Sequence, residues 1–139
     1  MLLDKIINSV ELKKFFEKNY DILLAFVFGS VAKGRERDES DIDIAILFSK
    51  SPSFDASFKI KDEISDILKK EVDLAILNDT SPILGMQVLK YGKLLFERNK
   101  GEYSKFFVKT MNFYYDLKTC RVENEKKILK GRIYGWKLI

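Results

Sequence analysis

Ile22-Leu23-Leu24-Ala25-Phe26-Val27-Phe28 is an unbroken apolar run of seven residues that stops at Gly29-Ser30. A run so short and so uniformly apolar predicts a strand buried on both faces, and so a sheet with helices packed above and below it. Gly29 ends the strand. Without a Cβ it lets an anion approach the main chain closely, and Ser30 adds a hydroxyl while opening a segment whose free N–H groups favour negative charge. A Gly-Ser pair alone is also what an ordinary turn after a buried strand looks like.

Ten residues later comes Asp41-Ile42-Asp43. Side chains alternate along a strand, so Asp41 and Asp43 share one face while Ile42 and Ile44 point into a core. Two like charges side by side repel unless a cation lies between them, and a hard ion such as Mg2+ suits carboxylate oxygens. By itself the pair also fits a strand with a solvated acidic face. A third carboxylate, Asp73, interrupts the apolar stretch Glu71-Val72-Asp73-Leu74-Ala75-Ile76-Leu77. Burying it unpaired is costly, so it belongs at a strand edge facing a metal, another charge or water. If that strand lies beside the first, the three carboxylates converge and can hold two divalent ions on a nucleotide's phosphates.

The rest of the chain alternates helix and strand. Leu3, Ile6, Ile7, Val10 and Phe15 repeat at helical spacing over residues 2–18. A helix over 55–70 buries Phe58, Ile60, Ile64, Ile67 and Leu68, and the Asp73 strand follows it directly. Ser81-Pro82 reads as a helix cap and first turn, Gly92 closes that helix, and a short strand runs through Leu94-Leu95-Phe96. The predicted class is α/β (α+β), a mixed β-sheet flanked by helices with a C-terminal helical extension.

With 139 residues and 46% hydrophobic content, one domain can bury a core without covalent staples. The single Cys120 excludes an internal disulfide, and the chain has no histidine, which excludes Ser-His-Asp and Cys-His catalysis and histidine-ligated zinc. Charge arrives too early in Met1-Leu2-Leu3-Asp4-Lys5 for a signal sequence, and no apolar run is long enough to span a bilayer, so a cytoplasmic protein is expected.

Between the turn and the aspartates, Val31 to Ser40 is dense in charge of both signs. Most of these side chains read as a solvated connection, but Lys33, Arg35 and Arg37 can reach phosphates or an acidic partner, and Ser40 can cap the turn ahead of Asp41.

Taken together, Gly29-Ser30, the spacer, Asp41-Ile42-Asp43 and Asp73 resemble the signature of the nucleotidyltransferase superfamily related to DNA polymerase beta. Gly-Ser-Val-Ala-Lys-Gly through Ser-Asp-Ile-Asp-Ile-Ala-Ile is most similar to the minimal nucleotidyltransferases, with residues 20–100 covered closely. The resemblance implies a nucleotidyltransferase fold with Asp41, Asp43 and Asp73 as catalytic residues and as ligands of two Mg2+ ions. Gly29 and Ser30, with Lys33, would hold the triphosphate of ATP. Asp73 would also help to deprotonate the acceptor hydroxyl, which attacks the α-phosphorus and displaces pyrophosphate.

Residues 101–139 stand apart from 1–100, which would form the nucleotidyltransferase domain. The tail holds nine Lys and Arg against four Asp and Glu, whereas the first hundred residues are nearly balanced, so the net charge of +4 belongs to the tail. Phe106, Phe107, Met111, Tyr114, Tyr115 and Leu117 crowd onto a predicted helix, followed by the polar stretch 121–127 and then Ile128-Leu129. This helix either packs its stripe on the domain or presents an aromatic, basic surface to a protein or, less readily, to RNA.

Three functions follow. Members of the resembled family act as antitoxins beside a ribonuclease toxin of the HEPN family, adenylylating a tyrosine near its active site, and the short chain would leave the acceptor on such a partner. A transferase acting on an aminoglycoside-like small molecule or an RNA end is the alternative, although a cationic drug prefers an acidic cleft. A non-catalytic toxin-masking module is the third, and the presence of all five signature residues argues against it.

Overall fold

A computed structural model describes residues 2–34 and 41–133, with 120–133 as backbone only. The expectations for Arg35, Arg37 and Ser40, and for the side chains of Cys120 and residues 121–129, lie outside the described residues.

The elements run in the order α1 (Leu2–Ile7), α2 (Val10–Lys18), β1 (Ile22–Phe28), α3 (Gly29–Ala32), β2 (Ile42–Phe48), α4 (Phe54–Leu68), β3 (Val72–Ile76), α5 (Pro82–Tyr91), β4 (Lys93–Glu97) and α6 (Glu102–Ile133). The strands form one mixed sheet in the order β3-β2-β1-β4, in which β2 pairs parallel with β3 and β1 pairs antiparallel with both β2 and β4. The apolar run β1 is thus an interior strand, and Leu24 to Val27 are at most 1% exposed.

Alternation along the strands sorts side chains onto two faces. Ile42, Ile44, Ile46 and Phe48 of β2 face a core shared with Phe15 and Phe16 of α2 and Ile64 of α4. Ala45 and Leu47 face the other way, into a second core with Val88 of α5 and Phe106 of α6. The aspartates of β2 and β3 have the parity of this second face.

Where helical spacing predicts one N-terminal helix, the chain forms two. Ser9 has extended backbone angles and its Oγ accepts the Leu12 N–H at 3.2 Å, so it starts α2 and cannot continue α1. In α4, Ile64 is buried and Ile60, Ile67 and Leu68 pack against the first core, but Phe58 is 52% exposed, contrary to its predicted place on the buried face. At about 100° per residue it lies about 120° around the helix from Ile64. Its ring stacks on the exposed Phe54, centroids 6.4 Å apart. Ser81 and Pro82 cap α5 as predicted, with Ser81 Oγ accepting from Leu84 N–H.

Arg98, which the sequence reading passes over, ties β4 to the end of α2. Its guanidinium donates to the carbonyls of Phe16 (2.6 Å) and Asn19 (2.9 Å), which the end of α2 leaves without intrahelical partners, and to that of Ile22 (2.7 Å) at the start of β1. Helix α6 follows Gly101 and buries Phe106 and Thr110 on the domain. Phe107, Val108, Phe113, Tyr115 and Leu117 are left exposed, so one stripe packs and the remaining apolar surface stays free on the described part of the helix. No helix among the described residues is long and apolar enough to cross a membrane.

Candidate active site

Two strand pairings and one turn bring the signature residues together at one end of the sheet, where β1 stops and β2 and β3 begin. In the antiparallel β1–β2 register Phe28, the last residue of β1, stands opposite Asp43. In the parallel β2–β3 register Asp43 stands opposite Asp73. Asp41 lies one residue ahead of β2, where the Ile42 N–H donates to the Glu71 carbonyl at 3.0 Å and fixes the approach of the two strands. Asp41 therefore leads into the strand and is not a member of it. Asp41 and Asp73 are exposed and Asp43 is half-buried.

Gly29 closes the site from the β1 side. Its φ of +68° is a left-handed conformation that side chains other than glycine's adopt with strain, and a Cβ there would overlap Oδ2 of Asp43. The turn and the carboxylate are therefore in direct contact, and the glycine is required both by its backbone angle and by its neighbour. Ser30 is the second residue of the short helix α3, whose Lys33 N–H donates back to the Gly29 carbonyl at 3.2 Å.

The electrostatics follow from this crowding. Burial raises the Asp43 carboxyl above its usual range, and the charges of Asp73 and then Asp41 raise it further. A divalent cation would relieve all three causes, and the donor set is entirely hard carboxylate oxygen. Among the described residues no three metal-ligating side chains are gathered into a ready cage. The backbone register sets the carboxylates side by side, and rotation of the exposed Asp41 and Asp73 side chains sets how closely they meet. By residue type and register the three fit a divalent ion.

Lys33 is exposed, with Nζ 4.8 Å from the centroid of the Tyr91 ring. The ring also receives Lys90 Nζ at 5.2 Å. Tyr91 ends α5, on the same face of the sheet as Asp43 and Asp73. Gly92 follows it with close approach to the Val27 carbonyl, which brings this tyrosine to the end of β1 where the Gly29 turn begins. Sequence reasoning misses Tyr91 because its relation to Lys33 spans more than fifty residues and depends on how α5 crosses the sheet. The only local signal is its place beside the helix-ending glycine.

Residues 10–101 match the family described as Polymerase beta, Nucleotidyltransferase. The protein adenylyltransferase MntA of Shewanella oneidensis is 31% identical over 116 residues, an alignment covering 83% of each chain. A solved structure of a toxin-antitoxin with AMP-PNP has a TM-score of 0.75 and 28% identity, covering 88% of this chain and 98% of the other. A tri-AMPylated Shewanella oneidensis HEPN toxin in complex with MNT antitoxin gives a match with a TM-score of 0.65 and 26% identity, covering 92% and 96%.

Proposed function

Starting from the fact that this chain belongs to the polymerase beta nucleotidyltransferase family, we propose that it transfers AMP from ATP to a tyrosine of a HEPN-type toxin and so acts as an antitoxin. That it is a nucleotidyltransferase follows from the family; the donor, the metal, the acceptor and the site roles are the proposal. The observation that carries the site is the pairing of Asp43 with Asp73 beside Gly29, which sets carboxylates and an open backbone around one point.

In this reading Gly29 and Ser30 receive the triphosphate, and Lys33 supplies a positive charge to it. Asp41, Asp43 and Asp73 would hold two Mg2+ ions, which when bound would supply positive charge to the phosphates and the leaving pyrophosphate. Asp73, exposed where the facing Asp43 is half-buried, takes the proton of the acceptor hydroxyl. The hydroxyl oxygen then bonds to the α-phosphorus as the bond from that phosphorus to the bridging oxygen breaks, and pyrophosphate leaves. Residues 1–100 form the nucleotidyltransferase domain in this scheme, and 101–139 the helical extension whose exposed aromatic groups meet the partner. A cytoplasmic location goes with it.

The relatives support the partner: toxin-antitoxin structures match most of this chain, and one contains a tri-AMPylated HEPN toxin. The test is incubation with α-labelled ATP, Mg2+ and the product of the neighbouring gene. Label on a tyrosine of that protein, absent with Asp41→Asn/Asp43→Asn, is the expected result. Label on an aminoglycoside or an RNA end instead, or toxin neutralisation that survives the double substitution, would overturn it.

A further inference from the structure

Beyond the nucleotide site, we propose that the cavity between α5 and α6 is a second binding site, for a small aromatic monocarboxylate. The cavity has a volume of about 440 Å³, within the range of small-molecule sites, and lies where β2 and β3 end, lined by Leu47 and Leu77. Each of these residues is four positions beyond Asp43 or Asp73, about 13 Å along the strand. An occupant is therefore no reactant at the carboxylates.

Thr110 points to a ligand. It lines this cavity, is 6% exposed, and is the one buried polar side chain among the described residues. Its hydroxyl has no hydrogen-bond partner among the described residues. The contrast lies on the same helix, where Thr119 donates to the Tyr115 carbonyl at 2.9 Å, the bond a helical threonine ordinarily makes. A buried hydroxyl left unbonded is costly, and a bound oxygen atom would remove the cost. Gly85 allows this arrangement: a Cβ there would lie 3.0 Å from the Thr110 methyl, so the glycine lets α6 seat this threonine against α5.

The other polar groups of the lining are already engaged. Asn78 bonds both the N–H and the carbonyl of Phe48, Thr80 donates to the Leu77 carbonyl, and Ser81 caps α5. What is left to recognise a ligand is the Thr110 hydroxyl, the aromatic walls Phe106 and Phe113, and the ammonium groups of Lys105 and Lys109, one turn apart on α6. Glu102, also on the lining, offsets one of those charges. The balance of one positive charge beside aromatic walls selects a ring bearing a single negative charge.

The full-length protein, 15N-labelled, would be titrated with benzoate, using benzyl alcohol, benzylamine and acetate as controls for charge and ring. Saturable amide shifts in 80–85 and 102–113 are expected with benzoate, at least about tenfold tighter than with any control. Thr110→Val should weaken benzoate binding and raise the Tm of the free protein, because it removes an unbonded hydroxyl at nearly constant shape. Thr110→Ser should retain binding, and Lys109→Gln should weaken it at least about fivefold. Benzoate binding no tighter than benzyl alcohol, shifts confined to the Gly29–Asp43 end, or a Thr110→Val protein that binds as well as the wild type would each overturn the proposal.

Discussion

Gly29 and Asp43 occupy adjoining space that admits only one side chain: a Cβ on Gly29 would overlap the Asp43 carboxylate oxygen, and the φ of +68° already disfavours any residue but glycine. Gly29→Ala is expected to cost about 1–2 kcal/mol in backbone strain alone. Because the overlap also displaces Asp43, nucleotidyl transfer should fall on the order of a hundredfold. Urea unfolding and transfer assays on the same preparation check both, and an alanine variant with normal activity would refute the contact.

The raised Asp43 carboxyl ties stability to pH. A folded state that holds a proton more tightly than the unfolded chain loses stability as that proton leaves. The nucleotide-free, metal-free protein should therefore be most favoured by this group below the ordinary aspartate range, and lose that contribution as pH rises from there through the higher folded value. Asp43→Asn should flatten that part of the profile and be more stable than wild type at neutral pH while losing transfer. Thermal melts across pH in EDTA measure it.

Lys33, four residues after Gly29, rests its ammonium over the Tyr91 ring. Tyr91→Leu is expected to raise KM for ATP about two- to fivefold with little change in kcat, whereas Tyr91→Phe, which keeps the ring, should behave as wild type. In a Lys33→Gln background Tyr91→Leu should add nothing, and full additivity of the two would show that the ring acts independently of the lysine.

Arg98 satisfies three backbone carbonyls at the α2 end and at the start of β1. Arg98→Met should lower unfolding free energy by about 1.5–3 kcal/mol. The folded fraction should carry out nucleotidyl transfer normally, since among the described residues Arg98 makes no contact with Asp41, Asp43 or Asp73. A denaturant midpoint unchanged from wild type would count against this role.

Much of the site is legible in the chain because its signals are local. The run Ile22–Phe28 has no polar residue to face water and so takes an interior strand, and Ser81-Pro82 states its own helix start. The common face of Ile42 and Ile44 follows from strand alternation alone. Misreadings arise where a short-range choice competes with the periodic pattern: Ser9 ends one helix to cap the next, and Phe58 is apolar yet off the stripe that the sheet covers.

Which groups this protein has for its chemistry is written locally in the chain, because glycine at a turn and aspartates in strand-forming stretches are properties of the residues and their immediate neighbours. It took the packed chain to set Asp73 opposite Asp43, to bring Lys33 over Tyr91 and to seal Thr110 against α5 with no bonding partner among the described residues. Each of those relations joins residues far apart in the chain. Such pairs are fixed by strand register and helix crossing, which depend on how the whole core packs and leave no mark on local spacing.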